Sequence, residues 1–365
     1  MDAYLAAGEL KNASNFYLNI NFEVLNGCNL RCPGCHVEKN SQESFSEREF
    51  QKLEHLLNDF SQRSYLPFIA FIGPTDFLSS ENFTDLFSQK KMIKLMHYFK
   101  RISLQTTYLD LKNLSKTVEV LREHYSDLEL EINIVVDPAK IMDDRYLEII
   151  STNKEKFLKS IQRNDVRTFG IMNVYDYDKT KIPELLKDYD FMHGRVAHLF
   201  ETTIDYNFSF GRNAKISNQE FVELCNRVKN LFNDALISAE KNSYLRFSFG
   251  KLTDSLIEKQ FNYRNGKIYF SPLLYERFVS FRNEFEVPMT NFTSIEIEEY
   301  ETKILLEQYS LAEAMEECGS CPFVASCIDR GILKLMDIYQ TKKCLVAKKA
   351  LMSVNSNLLG VISHV

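Results

Sequence analysis

The sequence predicts an α/β chain: a parallel sheet curved into a partly open barrel. Two observations carry this. Six segments of strand character alternate with helical segments over roughly the first 225 residues, as parallel sheets require, because each crossover needs a helix. Several of those strands also alternate polar and apolar residues, where parallel strands covered on both faces would read as apolar throughout. Helices on one face and polar side chains lining a lumen on the other satisfy both.

The first strand, 17–25, sets Leu18, Ile20, Phe22 and Val24 on one face and Asn19, Asn21 and Glu23 on the other. A cysteine-bearing loop follows. The next helix is announced by Ser46-Glu47-Arg48-Glu49, a capping box, with Phe50, Leu53, Leu57 and Phe60 recurring at helical spacing. The second strand is the apolar run 66–72, which leads through Gly73-Pro74-Thr75-Asp76 to a helix near 90–99. Strands are then predicted at 101–107, 128–136 and 167–174, with helices at 111–124 and 146–161 between them. A short helix near Pro183, a last strand near 195–201 and a helix carrying Cys225 close the set. Period-2 spacing puts Ser103 and Gln105 on one face of the third strand, and Glu129, Glu131 and Asn133 on one face of the fourth. Glu23, Gln105, Glu131 and Asn133 are thereby predicted to face the lumen and touch ligand. Glu23, Glu131 and Gln105 are the candidates for catalytic work.

Composition narrows the function class. With 365 residues and 45% hydrophobic content, the chain has material for a large core, and no apolar run approaches the ~20 residues of a membrane span. The net charge of −6, with scattered Lys and Arg, gives no electrostatic footprint for nucleic acid. The 28 Phe and 18 Tyr read as core. No secretory leader pattern stands at the start, and the thiols ask for a reducing compartment, so a cytoplasmic location is expected.

The chemistry lies in the cysteines. Cys28, Cys32 and Cys35 form C-x3-C-x2-C in one loop, three thiolates where a four-iron cluster usually takes four. One iron is then left for a small molecule. A zinc site with His36 as fourth ligand satisfies the arithmetic, although zinc sites prefer C-x2-C pairs. A second group, Cys318-x2-Cys321-x5-Cys327 with Cys344, supplies four ligands, enough for a closed cluster or for a four-cysteine zinc knuckle. The remaining thiol, Cys225, shares a helical stripe with Phe221, Val228 and Phe232 and reads as a small core residue.

Strand, three-cysteine loop and helix together resemble the signature of radical S-adenosylmethionine enzymes, and the C-terminal group resembles one auxiliary cluster of their SPASM subgroup. The resemblance spans about 17–350; it is strong at both cysteine groups and weak between them. Its fold implication is a partial (β/α)6 TIM-like barrel at 1–240 and a cluster-binding, SPASM/twitch-like extension at 241–365. The cysteines of a first auxiliary cluster are missing, although Arg264 to Pro272 looks like the hairpin that would carry them, and 210–215 resembles the segment linking barrel to extension. The implied cofactors are a [4Fe-4S] cluster with an open iron, S-adenosylmethionine and one auxiliary [4Fe-4S] cluster.

By position, Gly73, Pro74, Thr75 and Asp76 would hold the methionine amino group, although these residues depart from the family's usual Gly-Gly-Glu and also read as an ordinary turn. Asn133, on the fourth strand, would contact the cofactor. Gly34 replaces an aromatic residue that many members pack near adenine. The implied activity is a 5′-deoxyadenosyl radical abstracting substrate hydrogen, with a flavodoxin or ferredoxin as electron donor. The leading substrate is a ribosomal peptide or protein side chain, oxidised or cross-linked. The alternative is a small metabolite, a sugar or amino acid, kept open by the short stretch before Cys28. A non-enzymatic iron–sulfur electron carrier is the third reading.

Overall fold

The computed structural model describes residues 16–28, 30, 45–137, 140–175, 195–199, 204–209, 258–270, 286–315, 318, 321 and 324. In these, one eight-stranded sheet dominates: β1 (Phe16–Glu23), β2 (Tyr65–Gly73), β3 (Arg101–Thr106), β4 (Glu129–Val136), β5 (Val166–Tyr175), β6 (Ile204–Ser209), β7 (Glu258–Arg264) and β8 (Lys267–Phe270). The helices are α1 (Glu47–Gln62), α2 (Phe83–Phe87), α3 (Lys90–Met96), α4 (Leu114–His124), α5 (Asp144–Ile161) and α6 (Ser294–Ala314).

The strand order is β6-β5-β4-β3-β2-β1-β7-β8, and every pair is parallel except the β7–β8 hairpin. From β1 to β6 the chain winds in one direction without reversing. Since parallel crossovers are almost always right-handed, such an order puts its helices on one face. The burial agrees. Leu18, Ile20 and Phe22 of β1, Ile102 and Leu104 of β3, and Ile132 and Ile134 of β4 form one buried cluster with Leu53, Leu57 and Phe60 of α1, Leu121 of α4 and Ile150 and Phe157 of α5. Each such side chain contributes roughly 1.5–3 kcal/mol by leaving water. The opposite face carries the polar residues.

Local chemistry explains most boundaries. Ser46 and Glu49 close the capping box that opens α1, each bonding the other's backbone N–H at 3.2 and 2.7 Å. In β2 a register shift beside Leu18/Asn19 leaves one residue of β2 without a β1 partner, and the Asn19 side chain accepts from the Ile69 N–H there at 3.2 Å. The β7–β8 turn is Asn265-Gly266, with φ of 50° and 72°, as a two-residue hairpin of this hand requires.

Three features depart from the sequence reading. The strand expected near 195–201 is instead a helical turn ending in a 3-10 segment at Ala197–Leu199, and the strand follows at Ile204–Ser209. The turn is pinned to α5 and the segment before it: Arg195 donates to the Ile141 carbonyl at 2.8 Å and Lys154 to that of Leu199 at 2.7 Å. Val196 and Leu199, three apart, are both fully buried, which suits a turn better than a strand. Second, the 264–270 hairpin does form, but β7 joins the barrel sheet by pairing in parallel with β1. Third, α2 and α6 have no counterpart among the expected elements. The helices expected near Pro183 and around Cys225, and the 210–215 segment, lie outside the described residues. Among the described residues, no helix is long and apolar enough to cross a membrane.

Helix α6 docks on α1 through its N-terminus. Asp59 of α1 accepts from the Ser294 backbone N–H at 2.6 Å and hydroxyl at 2.5 Å, while Arg63 pairs with Glu298 at 2.7 Å. Burial alone would push the Asp59 carboxyl up, but these hydrogen bonds and the charges of Arg63 and His55 hold it below the usual range. Its stabilisation is therefore full above the ordinary carboxylate pKa and lost as pH falls through the lowered value. Asp59→Ala is expected to cost about 1–2 kcal/mol at pH 7, with the difference from wild type shrinking below about pH 4, as read by urea denaturation.

Candidate functional site

Parallel α/β folds place their sites at the C-terminal ends of the strands. Here that edge is organised by the loop after β2. The Gly73–Pro74 bond is cis, and the Gly73 carbonyl accepts from both Val24 and Leu25 N–H at 2.9 Å as the chain leaves β1. Further along the loop, Asn82 donates to the Val24 carbonyl at 2.9 Å and accepts from the Asn26 N–H at 2.8 Å. Ser80 donates to the Asn26 carbonyl at 2.9 Å. The start of the cysteine loop is thus clamped by side chains from the β2 loop.

Gly27 is required by this closeness. Its φ is +66°, and a Cβ there would lie 2.7 Å from the Glu81 Cβ. Cys28 comes next, partly exposed, with its Sγ 3.5 Å from the Ser79 hydroxyl. Cys32, Cys35, His36 and Gly34 lie outside the described residues.

The β2 loop is itself tied down by Asp76. This carboxylate is fully buried and accepts from Leu78 N–H at 3.0 Å, Ser79 N–H at 3.2 Å, Thr107 N–H at 2.6 Å, the Thr107 hydroxyl at 2.9 Å and the Thr106 hydroxyl at 3.0 Å. Burial pushes its carboxyl up, against donors that favour the ionised form. A carboxylate offers about four lone-pair sites, and these are taken. Asp76 therefore positions the loop against the end of β3, with the acceptor positions of its carboxylate filled.

Gly73 and Thr75 differ from it. A Cβ built on Gly73 would meet nothing within 4 Å, so open space stands over it. The Thr75 hydroxyl oxygen is buried and has no hydrogen-bond partner among the described residues. Tyr108, at the far side of the Asp76 tie with φ 55°, likewise buries a hydroxyl without a partner there, and burial with the nearby Asp76 charge pushes its pKa far up.

The polar face of the sheet brings the remaining candidates together in layers. Ser103 pairs with Glu131, and Gln105 with Asn133, across β3 and β4. Arg101 donates to Glu129 at 2.7 Å and Glu131 at 3.1 Å, Ser103 donates to Glu131 at 2.8 Å, and Asn133 donates to Ser103 at 2.6 Å. The Arg101 hydrogen bond holds the Glu129 carboxyl below its usual range. Glu131 lies deep, with both oxygens engaged. Gln105 and Asn133 lie one layer nearer the C-terminal edge, and the Gln105 carbonyl accepts from Phe77 N–H of the β2 loop at 3.0 Å. Glu23 stands at the edge itself, opposite Gly73 and 3.7 Å from Arg264.

At the other cysteine group, Cys318 N–H bonds the Met315 carbonyl at 2.9 Å and Cys321 N–H the Cys318 carbonyl at 3.0 Å, directly after α6. Successive i→i+3 turns bring the two to one side. Cys327, Cys344 and Cys225 lie outside the described residues, and no group of three or more metal-ligating side chains occurs among those described.

No family model matches the sequence, and no curated protein matches it. Among solved structures, a histidine-tagged anSMEcpe with bound AdoMet is similar with a TM-score of 0.43 and 12% identity over 74% of each chain. Another, native anSMEcpe with bound AdoMet and a Cp18Cys peptide, has a TM-score of 0.41 and 11% identity over 70% of this chain and 74% of that one. At this distance the likeness assigns no activity.

Removing the Asp76 tie should loosen this whole edge. Asp76→Ala strands buried N–H donors and is expected to cost roughly 3 kcal/mol or more of unfolding free energy, read by denaturant titration. It should also speed amide exchange at Asn26 and Thr107.

Proposed function

We propose that the chain is a radical S-adenosylmethionine enzyme of the SPASM-like kind, abstracting hydrogen from an amino-acid side chain. The observation that carries this is the placement of Cys28. It leaves the C-terminal end of the first strand of a singly wound parallel sheet and sits against the loop after the second. Cys32 and Cys35 follow four and seven residues later in the sequence.

In this reading Cys28, Cys32 and Cys35 hold a four-iron cluster with one open iron, and Cys318, Cys321, Cys327 and Cys344 hold an auxiliary one. The chemistry these groups and S-adenosylmethionine supply when bound is a 5′-deoxyadenosyl radical that takes hydrogen from an unactivated carbon. The chain's own residues fit such a ligand. Gly73 leaves room where any side chain would intrude, and the buried Thr75 hydroxyl waits for a partner. Pro74 borders the same opening. Asn133 and Gln105 present amides to the lumen side of that edge, while Arg101, Glu131 and Ser103 satisfy one another beneath and fix the floor. A self-satisfied polar floor orients a ligand without offering loose hydrogen donors.

For substrate, the reading is a peptide or protein side chain, the commonest activity in the subgroup that the cysteines resemble. A free amino acid is the second reading, favoured by the charged pair Glu23–Arg264 at the edge. An electron donor such as flavodoxin or ferredoxin is implied, as is a reducing, cytoplasmic setting.

Anaerobic reconstitution should give about eight irons per chain, falling to about four when Cys28, Cys32 and Cys35 are all replaced by Ala. Incubation with S-adenosylmethionine and a reductant should release 5′-deoxyadenosine from wild type and none from the triple variant. An iron-loaded protein that releases none would instead be an electron carrier. Zinc without labile sulfide would reject both.

A further inference from the structure

Ser79 of the β2 loop is fully buried, and its hydroxyl has two neighbours: Cys28 Sγ at 3.5 Å and the Asp76 carbonyl oxygen at 3.4 Å. The two distances do not mean the same thing. An O–H···O bond closes to about 2.5–3.0 Å, so the carbonyl is a stretched acceptor. Sulfur is the larger atom, and 3.5 Å lies within its reach.

Both ends of the Ser79–Cys28 contact are held independently. The Ser79 N–H is shared between the Asp76 carbonyl and Asp76 Oδ1, each at 3.2 Å, which fixes the hydroxyl against the buried carboxylate's own loop. Cys28 is fixed from the other direction. Asn26 is gripped by Ser80 and Asn82, and Gly27, at φ +66°, passes Glu81 where a side chain would collide. The contact is therefore set by two separate pieces of the fold.

A hydroxyl carries one hydrogen and two acceptor lone pairs. Beside a thiol, Cys28 can donate and Ser79 can give its own hydrogen to Asp76. A metal-bound cysteine is a thiolate and has no hydrogen, so the contact then holds only if Ser79 donates. A charge-assisted bond is roughly twice as strong as a neutral one, which turns the hydrogen from the Asp76 carbonyl to the sulfur.

We propose that Ser79 is a positioning residue whose O–H donates to the Cys28 sulfur in the metal-loaded protein and sets how readily the cluster held there accepts an electron. The proposal rests on the reading of Cys28 as a cluster ligand. Reduction adds one negative charge, part of which falls on the ligand sulfurs, and a donor fixed at one of them favours the reduced state and raises the potential. The electron comes from the external donor, and the Ser79 proton stays on its oxygen, so no bond is made or broken at this residue. Pinned and buried, the hydroxyl need not reorganise when the charge arrives. Asp76 thus acts on the metal through Ser79.

The full-length, anaerobically reconstituted protein is titrated at controlled potentials, and the reduced clusters are followed by electron paramagnetic resonance. The signal missing from the triple Ala variant of Cys28, Cys32 and Cys35 belongs to the N-terminal cluster. Ser79→Ala should keep the iron and sulfide content of wild type. Its N-terminal couple should shift toward the oxidised form at least about threefold, about 28 mV at about 59 mV per tenfold for one electron. After exchange into D2O, one deuteron coupling to that cluster should be present in wild type and absent from Ser79→Ala. Ser79→Thr, which keeps the hydroxyl, should restore both, and a merely structural role would move neither. A smaller shift, or a full set of couplings in Ser79→Ala, overturns the inference and leaves the radical reading standing. Loss of the iron from Ser79→Ala overturns it too, because Ser79 would then build the site and not tune it. If the shift appears but the protein cleaves no S-adenosylmethionine, the radical reading fails and this inference stands. A protein that assembles no reducible cluster at Cys28 overturns both.

Discussion

Two chain segments meet at Asp76, the loop after β2 and the end of β3, and the geometry of the candidate site follows from that meeting. The carboxylate gathers N–H and O–H donors from its own loop and from Thr106 and Thr107 at the end of β3. So anchored, the loop can reach across with Ser80 and Asn82 and fix Asn26, and with it Gly27 and Cys28. A buried charge is tolerated only when its acceptor positions are filled, and filling them is what makes it a rigid joint. Rigidity here is passed from β3 through the β2 loop to the start of the cysteine loop.

The one-way winding from β1 to β6 has a second effect. With helices on one face only, the other is free to be polar, and the polar layers there grade from closed to open. Arg101 bridges Glu129 and Glu131 toward the N-terminal end of the strands, with Lys100 also on Glu129, whereas Glu23, Gly73 and Arg264 stand at the C-terminal edge, where open space lies over Gly73. Reactive character in such a layout depends on height along the strand more than on residue type. Glu23 and Glu131 share a chemistry and a face, yet one is committed to Arg101 and Ser103 and the other borders an opening.

Features encoded within a few residues were legible in the sequence. The alternation of β1 and the Ser46–Glu49 capping box each depend on neighbours, and each appears as read; the Asn265-Gly266 turn is equally local and falls within the hairpin that the resemblance implied. The 195–201 segment misleads because a short apolar run fits strand and helical turn alike, and the deciding contacts, from Lys154 and to Ile141, come from α5 and its approach. Helix α6 does carry a local signal, Thr293 with Glu296, but its apolar residues follow no clean stripe. Position singles out Asp76, while its inward orientation depends on β3, which no local pattern reveals. The pairing of β7 with β1 is the least legible of all, since no local sequence pattern names a partner so distant. Most of the cysteines lie outside the described residues, so the ligand sets remain a matter of spacing.

That same pairing bears on how the protein is made. Once β2 has emerged from the ribosome, β1 has a partner on one side only, and its other edge waits until β7 is synthesised, about 185 residues later (258 − 73). At about 5–20 residues per second this is a delay of roughly 10–40 s. Throughout it, a strand with Leu18, Ile20 and Phe22 on its core face presents an unsatisfied edge beside the cysteine loop. Arg264 arrives only at the end of that interval, so the charged edge is completed after every preceding strand of the sheet.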